Sequence, residues 1–222
     1  MQYTVSNSYP RRFARLMLGL LLCGTGTYMT VQATAIGIGA WETFQTGLAM
    51  RTGFSFGNCT VMVSFAVIAV DLLLGGKIGF GTLINAVMIG KTVDFFHAFC
   101  DFLPATDSIW IGSLYLILGR FMTGYGMVLY MSPALGCGPR DTLLVGLAKR
   151  VKKLPIGAVS IALLSTATLI GWLLGGPVGV GTLICAFATG PVMQMAFRTV
   201  HFDATSVKHQ RLRDSVKTIC SH

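Results

Sequence analysis

Acidic residues are the scarcest polar class in this chain. Eight Asp and Glu stand against seventeen Lys and Arg, and the charged types together make up 11% of 222 residues. A water-soluble domain carries about 25% charged residues, so a solvated globular surface is excluded. Metal chemistry is equally absent. The six cysteines (Cys23, Cys59, Cys100, Cys137, Cys185 and Cys220) form no CxxC pair and no Cys/His cluster with metal-ligand spacing. Neither a metal site, a cofactor nor a disulfide framework is expected. There is also no HExxH, no Ser–Lys dyad and no Ser/His/Asp set in recognisable context, so an enzyme is not expected. Gly79-x-Gly81 follows no strand and is not a nucleotide loop.

What fills the chain instead is apolar sequence. Hydrophobic residues make up 53%, and the mean hydropathy is +0.69. Runs such as 16–23, 61–74 and 159–174 have almost no charge. The length accommodates about six spans of roughly 20 residues each. These are predicted at 14–36, 57–75, 78–98, 113–135, 157–175 and 178–198, followed by a charged tail over 202–222. The first segment has the length of a span and no small-residue cleavage site, so it reads as a transmembrane helix rather than a signal peptide.

The sequence is also written twice. Gly75-Gly76-Lys77-Ile78-Gly79-Phe80-Gly81-Thr82-Leu83-Ile84 returns one hundred residues later as Gly175-Gly176-Pro177-Val178-Gly179-Val180-Gly181-Thr182-Leu183-Ile184. Gly19, Gly24 and Gly26 return as Gly119, Gly124 and Gly126. Gly37-Ile38-Gly39-Ala40-Trp41-Glu42 matches Gly136-Cys137-Gly138-Pro139-Arg140-Asp141 at an offset of ninety-nine. An odd number of spans per copy turns the second copy upside down, as in many transporters. The expected fold is therefore all-α: six transmembrane helices built as two inverted three-helix repeats. The segments are 1–13, 14–104, 105–200 and a basic tail over 201–222.

Basic residues cluster in alternate connections. These hold Arg11, Arg12 and Arg15; then Lys77; then Arg140, Lys149, Arg150, Lys152 and Lys153; then Arg198, Lys208, Arg211, Arg213 and Lys217. The positive-inside rule puts both termini in the cytoplasm. The net charge of +9 then reflects span ends and lipid headgroups, not nucleic acid. Trp41, Tyr28, Trp110, Tyr115 and Tyr130 read as interfacial anchors. The glycines at 19, 24 and 26, with their copies, read as one face for close helix approach.

With these elements in place, the chain resembles the YczE/YitT family of bacterial integral membrane proteins, most closely its YczE branch. The carrying residues are Gly39-Ala40-Trp41-Glu42, Thr52-Gly53-Phe54-Ser55-Phe56-Gly57, Asp71–Asn85, Gly136-Cys137-Gly138-Pro139-Arg140-Asp141 and Gly175–Leu183. Where the family usually has Pro-Trp-Asp, the first copy has Ala40-Trp41-Glu42. The resemblance implies a multi-pass membrane protein and names no substrate.

The candidate site follows from the breaks at Gly37 and Gly39 and at Gly136, Gly138 and Pro139. A broken helix frees backbone groups, and acids beside it can hold a cation or a proton. Glu42 and Asp141 hold such places, or serve as first-turn partners of a helix dipole. By loop charge they lie toward opposite membrane faces. Asp71, Asn85 and Asp94 make the first half the more polar, and Lys91 stands three residues from Asp94. Arg120 lies inside span four and needs a partner, a wet cavity or an interface. With Arg140 these residues are expected to serve a carrier of a small solute in the lipid bilayer. The alternative is an accessory membrane protein, or the substrate-binding subunit of a larger importer. Self-association and a membrane-protein partner both stay open.

Overall fold

In a computed structural model, residues 9–76, 78–100, 102–151 and 155–201 are described. Lys77, Asp101, Lys152, Lys153 and the tail from 202 onward lie outside them, and with them part of the basic clustering. Eight α-helices follow in order: α1 (Tyr9–Val31), α2 (Ala40–Thr52), α3 (Phe56–Leu73), α4 (Phe80–Phe95), α5 (Ile109–Met131), α6 (Pro139–Arg150), α7 (Ile156–Leu173) and α8 (Val180–Thr199). There is no strand among the described residues. Five helices are long and apolar enough to cross a bilayer: α1, α3, α4 with the π-turn that extends it to Cys100, α5 and α8. A sixth apolar helix lies within α7, where the stretch Gly157–Leu173 is one residue shorter than α3.

The packing is that of a membrane protein. Leu72, Leu73, Ile161, Trp172, Leu183 and Phe187 point outward, while Thr30, Gln45, Thr60, Asp71, Thr82 and Asn85 are buried. Hydrocarbon solvates the first set, and only the protein interior can solvate the second.

Each helix boundary has a local cause. α1 and α5 begin four or five residues before the expected spans. Arg11, Arg12 and Arg15 lie within α1 itself, and Arg12 reaches the far end of α5, donating to the Pro133 carbonyl at 3.0 and 2.6 Å. α4 and α8 start identically: Thr82 Oγ1 accepts from the Gly79 N–H at 3.3 Å, and Thr182 Oγ1 from the Gly179 N–H at 3.2 Å. Two short helices, α2 and α6, lie between the predicted spans, each starting directly after its G-x-G break.

α1 and α5 pair antiparallel through bare backbone. A Cβ on Gly19 would sit 2.5 Å from the Tyr130 nitrogen, and one on Gly26 would sit 2.5 Å from the Gly119 carbonyl. Gly24 does not share that face. Its Cβ would meet Thr92 of α4, and that of Gly124 would meet Val192 of α8. Five residues at about 100° each carry a side chain well round the helix, whereas seven return it to nearly the same face. The expected single glycine face is therefore two faces.

The two breaks and the short helices exchange contacts between the halves. The break at Gly37 lies against Gly179 and Thr182, and the break at Gly136 against Gly79 and Thr82. α2 packs on α7, where Arg51 Nε donates to the Leu174 carbonyl at 3.2 Å. α6 packs on α3, where Arg150 Nη2 donates to the Leu73 carbonyl at 3.4 Å. Tyr28 is buried against Phe96, His97 and Phe102 and is no interface anchor. Trp110 is 86% exposed, as an anchor would be.

Candidate functional site

The site is built on the two helix breaks. Gly37 has φ +93° and Gly136 φ +152°, conformations that side chains disfavour. Gly39 and Gly138 then take extended backbone as the residues capping α2 and α6, and Pro139 occupies the first position of α6, where its missing N–H has no helical partner to lose. Glu42 and Asp141 fall in the first turns, at the positive ends of their helices.

Glu42 meets Arg120. Arg120 is the central residue of the 23-residue α5, and its Nη2 lies 3.1 Å from Glu42 Oε1. The two side chains are 10% and 6% exposed. The guanidinium also lies against Gly39, which caps α2, and beside Cys185 of α8. The charges are in contact, and beyond this ion pair Nε and Nη2 make no well-aligned hydrogen bond among the described residues. Of the readings open for Arg120, the structure shows a buried partner.

Asp141 accepts a hydrogen bond from the Tyr130 hydroxyl at 3.0 Å. A Cβ on Gly138 would sit 3.0 Å from Asp141 Oδ2 and 3.6 Å from Asn85 Nδ2. Asn85, Tyr130 and Asp141 thus gather at the second break. Arg140 joins the two breaks: its guanidinium carbon is 5.3 Å from the centre of the Trp41 ring, and its charge acts on both Glu42 and Asp141. Trp41 therefore sits under a cation and is no interface anchor. Loop charge put the two acids toward opposite faces; the structure brings the starts of their helices together.

Asp71 and Asp94 stand apart from this cluster. Asp94 accepts from Ser55 Oγ at 2.7 Å and from the Gly57 N–H at 2.8 Å. It holds the start of α3. Lys91 donates instead to Asn58 Oδ1 at 2.6 Å. Lys91 and Asp94, three residues apart on α4 and so able to pair, do not do so, because α3 and its cap offer both residues other partners. Asp71 is fully buried near the end of α3, and neither carboxylate oxygen has a hydrogen-bond partner among the described residues. Its backbone carbonyl accepts from the Gly76 N–H at 2.7 Å and closes the turn. Lys77, six residues further along, could neutralise it but lies outside the described residues. No group of three or more His, Cys, Asp or Glu side chains forms a metal site among the described residues.

Comparison with known proteins shows the family of the chain. The family of unknown function DUF6198 matches residues 10–198. The chain belongs to this family. It is similar to an uncharacterized protein of Haemophilus influenzae, at 32% identity over 81% of this chain and 80% of the relative. It is also similar to the uncharacterized membrane protein YczE of Bacillus subtilis, at 29% identity over 83% of this chain and 85% of the relative. The resemblance read from the glycine motifs is thereby borne out, and the chain is a multi-pass membrane protein. No solved structure matches it.

Two buried polar residues beside the first break escaped sequence reading. Gln45 and Thr46 stand one helical turn after Glu42 on the same face of α2. Gln45 is fully buried, and its Oε1 and Nε2 and the Thr46 Oγ1 have no hydrogen-bond partner among the described residues. An unpaired buried polar group costs about 1–3 kcal/mol, so this face is an expensive one to keep. The signal was available in the duplication, since the second copy has apolar Leu144 and Val145 at these places.

Proposed function

We propose that this protein carries a small solute across the bacterial inner membrane. In this reading it has six spans in two inverted repeats, with both termini in the cytoplasm. Support for the inversion comes from the antiparallel pairing of α1 with α5 and from the exchanged contacts of the breaks and turns. The observation that carries the reading is the meeting of two interrupted helices around buried charge at the middle of α5. Carriers built from inverted repeats bind their solutes at the bilayer midplane, on half-helix ends between the repeats. A purely structural core has no need of an ion pair there, where each charge costs about 2.5–3.5 kcal/mol to insert.

Purified full-length chain in liposomes should accumulate components of a bacterial metabolite extract in a saturable way. Asp141→Asn should lower that uptake several-fold while shifting the melting temperature little. Binding of a component without uptake would instead make the chain the substrate-binding subunit of a larger importer. Neither binding nor uptake would end the carrier reading.

A further inference from the structure

The unpaired polar atoms around the first break share one chemistry, and it names a class of solute. The inference takes the carrier reading as its frame and concerns what the carrier grips. On Arg120, Nε and Nη2 form one edge of the guanidinium, and apart from the Glu42 contact at Nη2 that edge makes no well-aligned hydrogen bond among the described residues. That edge presents two parallel N–H groups, the fork that fits both oxygens of a carboxylate. Arg120 is held against Gly39, the cap of α2. The edge therefore stands at a helix N-terminus, where the dipole also favours an anion. A turn further along α2, Gln45 adds an amide with both a donor and an acceptor, and Thr46 adds a hydroxyl.

We infer that this cluster binds a short monocarboxylate carrying a second hydrogen-bonding group, a hydroxy acid or an amino acid. The carboxylate lies on the Nε/Nη2 edge of Arg120, and the hydroxyl or amino group meets Gln45 and Thr46. Glu42 stays beside the fork at 3.1 Å from Nη2. It repels a dianion such as phosphate more than a monoanion, and it can accept from a solute ammonium group. In the other copy the counterparts of Gln45, Thr46 and Arg120 are the apolar Leu144, Val145 and Leu20. One asymmetric solute needs only one such lining, and the polar one is at the first break.

The test uses the purified full chain in nanodiscs, with its melting temperature followed by tryptophan fluorescence. Lactate, glycine and alanine at millimolar concentration are compared with chloride and inorganic phosphate at matched ionic strength. At least one of the three carboxylates should raise the melting temperature in a concentration-dependent way, while the salts should not. Gln45→Leu removes unpaired polar atoms, so it should melt higher than the parent and lose the carboxylate response. Arg120→Lys keeps the charge without the fork and should lose the response as well. If none of the three carboxylates shifts the parent, if phosphate shifts it equally, or if Gln45→Leu responds like the parent, the inference is wrong. A carboxylate shift without liposome uptake would overturn the carrier reading and leave this site standing. Saturable uptake of other solutes with no carboxylate shift would overturn this inference alone.

Discussion

Arg120→Leu should destabilise the protein by about 3–5 kcal/mol, the usual cost of stranding one member of a buried ion pair. Glu42 would then be left 5% exposed in the interior, with its nearest cation removed. The carboxylate could not reach bulk water, because α2 holds it in a first turn packed between α5 and the turn after α7. The double variant Glu42→Leu/Arg120→Leu should recover most of the loss. It removes both charges together, and the apolar replacement of a whole buried pair is often neutral or stabilising. Chemical unfolding of the parent, both single variants and the double variant gives the coupling directly. A double variant as unstable as the sum of the singles would show that the two charges do not support each other.

Gly26→Leu should be comparably severe for a different reason. The added Cβ would meet the Gly119 carbonyl at 2.5 Å and Thr123 Oγ1 at 2.7 Å. The nearest obstacle is backbone, so no rotamer change relieves the clash. Overpacking a core usually costs about 1–3 kcal/mol when side chains can yield; here α1 and α5 would have to separate, and the loss should exceed that range. Gly124→Ala is the contrast. Its Cβ would lie 3.3 Å from a Val192 methyl, which can shift, so the variant should melt close to the parent. Gly157→Ala has open space around it and should be neutral or slightly stabilising, since alanine suits a helix better by about 0.5–1 kcal/mol. Melting curves of the three variants in one detergent check the order. If Gly26→Leu melts like Gly157→Ala, the α1–α5 contact is not a close one.

Much of this architecture could be read from residue order. The duplicated glycine turns marked the starts of α4 and α8, and the G-x-G pairs marked the starts of α2 and α6. Local chemistry decides those boundaries, because glycine supplies the positive φ and Thr82 and Thr182 close the turns from within four residues. What stayed hidden depends on contacts distant in sequence. Lys91 and Asp94 stand at pairing distance along one helix, yet α3 takes both through Asn58, Ser55 and Gly57. Trp41 resembles an interface anchor until Arg140 is laid over it. Loop charge reports the side on which a segment begins but not how deep it dips, so it separated two acids whose helices start together. Gln45 and Thr46 read as ordinary polar residues of an amphipathic segment, because sequence does not show that their face is buried.

The account stands most directly on whether the first break is reached in turn from both sides of the membrane. In a cysteine-free background, Thr46→Cys is probed with a membrane-impermeant maleimide applied to each side of the bilayer. Asp107→Cys and Lys149→Cys, both at exposed positions, serve as markers of the two sides. Asp107→Cys should label only from the periplasmic side and Lys149→Cys only from the cytoplasmic side, while Thr46→Cys should label from both. Labelling of Thr46→Cys from one side only or from neither, or labelling of both markers from the same side, would contradict a carrier with an alternately exposed central site.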